Sequence, residues 1–247
     1  MLDQASDDIP MARRLEPLRR RGTPWPKLVV ALAVVMAVGS TAVLVWQPTV
    51  LLRFLAPVPL AGLASRPGLD GRLLGHFPYP EAAALDLVTV APGLRLHRDA
   101  ADALLQLLDA ARADGIEIKV LSAFRSVALQ QQLFFDVKSS RNQSAQERAR
   151  VSAPPGYSEH STGFAVDLGD ARNPQTDLSG SFAQTSAFAW LTANAARFHF
   201  ILSFPPGNQQ AVSYEPWHWR FEGSAAALQQ FEPAQRLAGQ GRPRGLR

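Results

Sequence analysis

Apolar and polar positions along the chain fall into three regimes. From Leu28 to Trp46, nineteen residues run without a charge. As a helix they would span about 28 Å at ~1.5 Å per residue, close to the hydrocarbon core of a bilayer. A buried core helix is the competing reading, but no polar face interrupts the run, and Trp25 and Trp46 flank it as interfacial rings do. Residues 47–75 carry Pro48, Pro57, Pro59 and Pro67 with several glycines, a composition that resists regular structure and suits a linker. From about His76 the pattern becomes globular.

Within that part, Asp99 is placed to cap a helix whose Leu104, Leu105, Leu108 and Ala111 recur at helical spacing, with Gly115 to end it. Ile116–Leu121 alternates as a half-buried strand would, Ser126 can cap a second helix through Leu129, Leu133 and Val137, and Glu147–Val151 predicts a short charged helix. Residues 154–163, with two Pro and two Gly, predict a loop, and Phe164–Leu168 a short strand. Thr185–Ala196 predicts a helix with Phe188, Leu191 and Ala195 along one side, and Phe200–Phe204 and Trp217–Phe221 are strands with the Pro205–Gly207 turn between them. No repeated strand–helix unit is present, so the pattern predicts an α+β domain over residues 76–232, a small, mainly antiparallel sheet with packed helices. One N-terminal transmembrane helix (28–46) precedes it, and residues 233–247 are expected to be a disordered tail.

Charge assigns sides to this plan. The formal net charge is +4, and residues 1–27 hold six basic side chains, all before the apolar run, whereas Arg53 is the first charge after it. The positive-inside rule then makes 1–27 a cytoplasmic segment and exports everything after Trp46. A cleaved signal peptide competes, but the basic leader is long and no small-x-small site follows the apolar run directly, which favours an uncleaved anchor. The remainder carries only +2 and no basic stripe, so no nucleic-acid partner is expected. With no cysteine, disulfides, thiolate ligands and a cysteine nucleophile are excluded, and any metal site must be built from His, Asp and Glu.

Two of the five histidines sit in unusual settings, His160 in Ser158-Glu159-His160-Ser161-Thr162-Gly163 and His218 in Glu215-Pro216-Trp217-His218-Trp219-Arg220. For His218 alone, a core imidazole satisfied by one hydrogen bond is an equal alternative. Asp167 shifts the balance. Alternation puts Phe164, Val166 and Leu168 on one strand face and Asp167 on the other, where a buried carboxylate must be paired, hydrogen-bonded or metal-bound. Two His and one carboxylate suit zinc with an open fourth position, and non-haem iron uses the same ligand types. Glu215, three residues before His218, is the available base, although three residues apart on a flat strand means opposite faces and Pro216 must break that geometry. Asp170, Arg172 and Asp177 lie in a polar stretch and are expected to be solvated.

Several segments in order resemble the VanY-type zinc D-alanyl-D-alanine carboxypeptidases of bacterial cell walls, relatives of the D-Ala-D-Ala dipeptidases and, more distantly, of the lysostaphin and hedgehog folds. Ser122-Ala123-Phe124-Arg125-Ser126 followed by Gln130 is similar to their S-G-[YF]-R-S-x-x-x-Q segment, Ser152 to Asp167 to S-A-x-P-G-x-S-E-H-x-T-G-x-A-x-D, and Glu215-Pro216-Trp217-His218 to E-P-W-H. The resemblance covers about residues 75–232. It implies zinc held by His160, Asp167 and His218, a catalytic Glu215, and substrate contacts from Arg125, Gln130 and Ser158. The implied reaction removes the terminal D-Ala from peptidoglycan stem peptides. Related L,D-carboxypeptidase, dipeptidase or wall endopeptidase activities, or a non-catalytic wall-binding role, are the rivals, and no protein partner is implied. Ala123 and His199 stand where that family usually has Gly, and Ser161 where a larger polar residue is frequent.

Overall fold

The computed structural model describes residues 62–240. The cytoplasmic leader, the apolar run 28–46 and the linker up to residue 61 lie outside the described residues, as do residues 241–247. Among the described residues no helix is long and apolar enough to cross a membrane.

A hairpin of β1 (Leu87–Ala91) and β2 (Leu94–His97) leads into α1 (Arg98–Ala113). After β3 (Ile118–Ser122) come α2 (Val127–Ser140) and the short α3 (Ala145–Ala149), then β4 (Ala165–Asp170), α4 (Ser186–Asn194), β5 (Phe200–Leu202), β6 (His218–Phe221) and α5 (Ala225–Gln240). The main sheet is wholly antiparallel with strand order β3-β4-β6-β5, as the α+β expectation requires.

Most boundaries follow local chemistry. The Ser126 hydroxyl accepts from the Leu129 N–H to cap α2, and Ser144 with Glu147 forms a reciprocal capping box on α3. At the end of α1, Gly115 at φ 75° lets its own N–H reach the Arg112 carbonyl and that of Ile116 the Ala111 carbonyl. The cap at its start is one residue-pair earlier than expected: His97 Nδ1 accepts from the Asp99 N–H, and Asp99 sits in the first turn.

One face of the sheet carries Phe164, Val166, Leu168, Trp219 and Phe221 into a core shared with Ala100, Leu104, Leu107 and Ala111 of α1, Leu191 of α4 and Phe231 of α5. The expected stripes on two helices are displaced. In α1 Leu107 is buried and Leu105 exposed; in α2 Leu129 and Leu133 are 46% and 36% exposed while Gln130 and Phe134 are fully buried.

Three further expectations change. The linker does not stay loose to residue 75: Leu63 and Leu73 are buried with Phe134 and Ala149 in a second cluster, and Leu73 bridges His76. Residues 233–240 are not a disordered tail, because α5 continues through Pro233 and buries Ala234. Asp170 is buried, its carboxylate accepting from the Arg172 N–H at 2.8 Å and the Asn173 amide at 3.0 Å, and Asp177 pairs with Lys119 at 2.7 Å.

The second cluster gives a direct test. Leu73→Ala is expected to lower unfolding stability by about 2–5 kcal/mol in denaturant titrations, as for other fully buried leucines; no change would restore the loose linker.

Candidate metal centre

The polar face of the same sheet is built from alternate positions. β4 pairs with β6 so that Asp167 lies directly opposite His218, with their side chains on the face away from the core. On the other side, the β3–β4 register slips between Val120 and Ser122, and this bulge at Leu121 puts Ser122 opposite Asp167. The expected loop before β4 closes as a 3-10 turn over Glu159–Thr162, which carries His160. Gly163 ends that turn at φ 73°, and a Cβ there would meet Leu87 Cδ2 at 2.9 Å and the His97 nitrogen at 3.1 Å, so a residue without a side chain fits the corner.

His160, Asp167 and His218 converge as the motif predicts, all buried, each offering one ligand atom within 4.8 Å of the others. His160 Nε2 lies 3.2 Å from Asp167 Oδ2, and His218 Nδ1 lies 3.1 Å from Asp167 Oδ1. Ligand atoms placed tetrahedrally at ~2.0–2.1 Å from zinc are separated by about 3.3 Å, which the two histidine–carboxylate separations match, and the residue types are those that hold zinc. The outer ring nitrogens fit it too. His160 Nδ1 donates to the Ala123 carbonyl at 2.8 Å and His218 Nε2 to Glu159 Oε2 at 2.9 Å, leaving Nε2 of the first and Nδ1 of the second for a metal.

Glu159, to which the motif assigned no role, is the anchor of that arrangement. Its Oε2 also accepts from the Ser203 hydroxyl at 2.6 Å, and its Oε1 from Arg220 at 2.9 Å. Arg220 in turn holds Glu222 at 2.7 Å and lies 4.9 Å over the Phe231 ring. The sequence signal for this chain was Arg220 itself, two residues from His218 and on the same strand face, a cation that needs an anion if buried.

Burial alone would raise both carboxylates, but Arg220 and the His218 hydrogen bond hold Glu159 down at about 2. His160, then His218, likewise hold Asp167 well below the carboxylate range. Burial would lower His218, yet hydrogen bonds to Asp167 and Glu159 push it up to about 10, whereas burial lowers His160.

Glu215 lies before β6, where the His218 N–H donates to the Glu215 carbonyl at 3.1 Å. That turn, at Pro216, removes the opposite-face problem, and Glu215 lines the same cavity as Asp167 and His218. Burial pushes it up to about 7; His218 pulls against this, and Asp167 and Glu159 reinforce it.

Arg125 and Ser158 also line this cavity of about 490 Å3. Arg125 lies 3.7 Å from Asp167 and donates to Gln130 Oε1 at 2.9 Å and Ser122 Oγ at 3.1 Å. Gln130 departs from its implied role as a substrate contact. Its side chain is fully buried, with the amide nitrogen donating to Ser152 Oγ at 3.2 Å and the Ala153 carbonyl at 2.7 Å, so it braces Arg125. His199 stands apart from the donor set, exposed and edge-on to Phe221. Its φ of 61° is the left-handed conformation that the glycine usual at this motif position adopts freely.

The D-alanyl-D-alanine carboxypeptidase of Enterococcus faecalis is 34% identical over 159 residues, 61% of this chain and 57% of that protein. Two solved structures are similar. The LdcB LD-carboxypeptidase has 29% identity and a TM-score of 0.54, covering 66% of this chain and 80% of that one. VanYB in complex with D-alanine-D-alanine has 30% identity and a TM-score of 0.50, covering 67% and 88%. The chain spans about half the length of the curated relatives it matches. The family model VanY, D-alanyl-D-alanine carboxypeptidase, matches residues 93–224, and with the His-Asp-His centre inside that span the chain belongs to this family.

Proposed function

We propose that this chain is a zinc carboxypeptidase that removes the terminal D-Ala from peptidoglycan stem peptides. The observation that carries the reading is one cavity shared by the His160–Asp167–His218 donor set, Glu215 and Arg125. A purely structural metal site needs no neighbouring carboxyl poised near neutrality, and Glu215 is such a group. The similarity to the E. faecalis enzyme and to VanYB with its D-Ala-D-Ala supports the substrate.

In this reading His160, Asp167 and His218 would hold the zinc, which would supply Lewis acidity toward a carbonyl and toward water. Glu215 accepts a proton from the attacking water and hands it to the leaving amine nitrogen. Arg125 receives the substrate's terminal carboxylate with the in-plane N–H donors left free by Ser122 and Gln130, and Ser158 helps fix the peptide. The apolar run 28–46 and the basic leader support a membrane tether with the domain outside the cytoplasm, where stem peptides occur.

L,D-carboxypeptidase activity is the second reading, favoured by the likeness to LdcB. Incubation of zinc-loaded protein with a pentapeptide and a tetrapeptide stem, read by mass spectrometry, separates the two. Loss of one residue from the pentapeptide supports the main reading, cleavage of the tetrapeptide alone supports the second, and two intact peptides sink both. Glu215→Ala is expected to lower turnover at least about 100-fold while zinc is retained.

Zinc binding itself has a pH signature. His218, at about 10 without metal, is protonated through the neutral range, and a ligand nitrogen must give up that proton. Acid therefore competes with the metal: the apparent Kd is expected to rise up to about tenfold per unit as pH falls from about 8 to about 6. Calorimetry in buffers of different ionisation enthalpy reads the released proton. A Kd independent of pH would remove His218 from the ligand set, and Glu159→Gln should weaken zinc about 10–100-fold.

A further inference from the structure

One wall of the cavity remains without a role. It is built by α2 and α3 and carries two arginines, Arg141 just after α2 and Arg148 in α3, alongside Leu133 and Val151. Neither arginine forms an ion pair among the described residues, although seven other arginines there do.

Arg148 is the informative one. Its residue is only 9% exposed, its single hydrogen bond runs from one terminal nitrogen to the Leu133 carbonyl at 3.2 Å, and its buried Nε has no hydrogen-bond partner. A guanidinium carries five N–H donors, and leaving one buried and unused costs its full desolvation penalty, larger for a charged group than for a neutral one. Burial, then repulsion from Arg141 and Arg125, lowers its pKa, so the groups that face it add to the cost of the charge instead of relieving it. Of the carboxylates lining the cavity, Glu159 is committed to Arg220 and His218 and Asp167 to the two histidines, and Glu215 forms no ion pair with either arginine.

We infer that Arg148, with Arg141, forms an anion subsite for a second carboxylate of the substrate, carried by the side chain of the residue immediately before the two terminal alanines. This rests on the carboxypeptidase reading above and deepens it. Arg125 lies 3.7 Å from Asp167, at the metal, and takes the terminal carboxylate; the α2–α3 wall then takes a side chain upstream. A cavity of about 490 Å3 is the size of a small-ligand site, so a second anion within it belongs to the same bound peptide. The favoured stem peptides are those whose third residue bears a free carboxylate beyond its backbone, over those with only an amine.

Two isosteric probes test this, N-acetyl-L-glutamyl-D-alanyl-D-alanine and its L-glutaminyl counterpart, bound to full-length, zinc-loaded Glu215→Ala protein and followed by calorimetry. The carboxylate peptide is expected to bind about tenfold more tightly or better. In an Arg148→Gln background the ratio should fall towards one. Because Arg148 also braces α2, the exposed Arg141→Glu provides a second variant, in which the ratio should fall or invert while the thermal midpoint stays near that of the parent. Equal affinity for both peptides, or a ratio that survives both arginine changes, overturns the subsite. Hydrolysis of both peptides by the wild type without preference overturns it and leaves the carboxypeptidase reading standing. Preferential binding with no hydrolysis by the wild type does the reverse, and binding of neither peptide overturns both.

Discussion

A carboxylate in the middle of a buried central strand is the constraint on which the other features of this domain depend. All six residues of β4 are buried, so Asp167 can keep its charge only with partners brought to it from outside the strand. His218 comes from the neighbouring strand in direct register, and His160 from the turn that precedes β4. Each imidazole then needs a partner of its own. His160 finds a backbone carbonyl, but His218 requires the buried Glu159, which requires Arg220, which requires Glu222, where Gln235 of α5 closes the line at 2.6 Å. Removing one member would leave its neighbour charged and unpaired in a low-dielectric interior, where such losses exceed the net worth of the pair.

The donors reach Asp167 through local departures from regular structure. The bulge at Leu121 turns Ser122 toward the site, the left-handed Gly163 folds the His160 turn back against β4, and the turn at Pro216 delivers Glu215 beside His218. Each is a short-range device, whereas the apolar face of the same sheet is regular and supplies the packing. The site is therefore positioned by a rigid layer but shaped by its irregularities, which is where side chains can be aimed independently of strand period.

This division explains how much could be read from the chain. Features set by short-range chemistry were legible: the Ser126 cap, the Gly115 stop, and the face of β4 that carries Asp167. Features set by what lies opposite were not. Leu129 and Leu133 have helical spacing, yet Leu133 faces the cavity and the buried stripe runs through Gln130 and Phe134. Gln130 fits a substrate contact in a motif, and only the position of Arg125, Ser152 and Ala153 around it makes it a brace. The domain runs past the expected boundary at residue 232 because Ala227, Phe231 and Ala234, spaced four and three apart, continue the buried face of α5 across Pro233. Glu159 was hidden by its neighbour: adjacent residues in a turn point apart, so His160 joins the donor set while the glutamate beside it pairs with Arg220 of β6.

Charge balance ties the metal to the base. Without metal, the carboxylates of Asp167, Glu159 and Glu222 are matched by protonated His218, Arg220 and Arg125 in the same network, while Glu215 forms no ion pair among the described residues. Burial then holds Glu215 up at about 7, half protonated near neutrality. A dication that takes the place of the His218 proton adds one positive charge to the cavity. That charge favours the carboxylate form of Glu215, so loading the site lowers the cost of ionising its base.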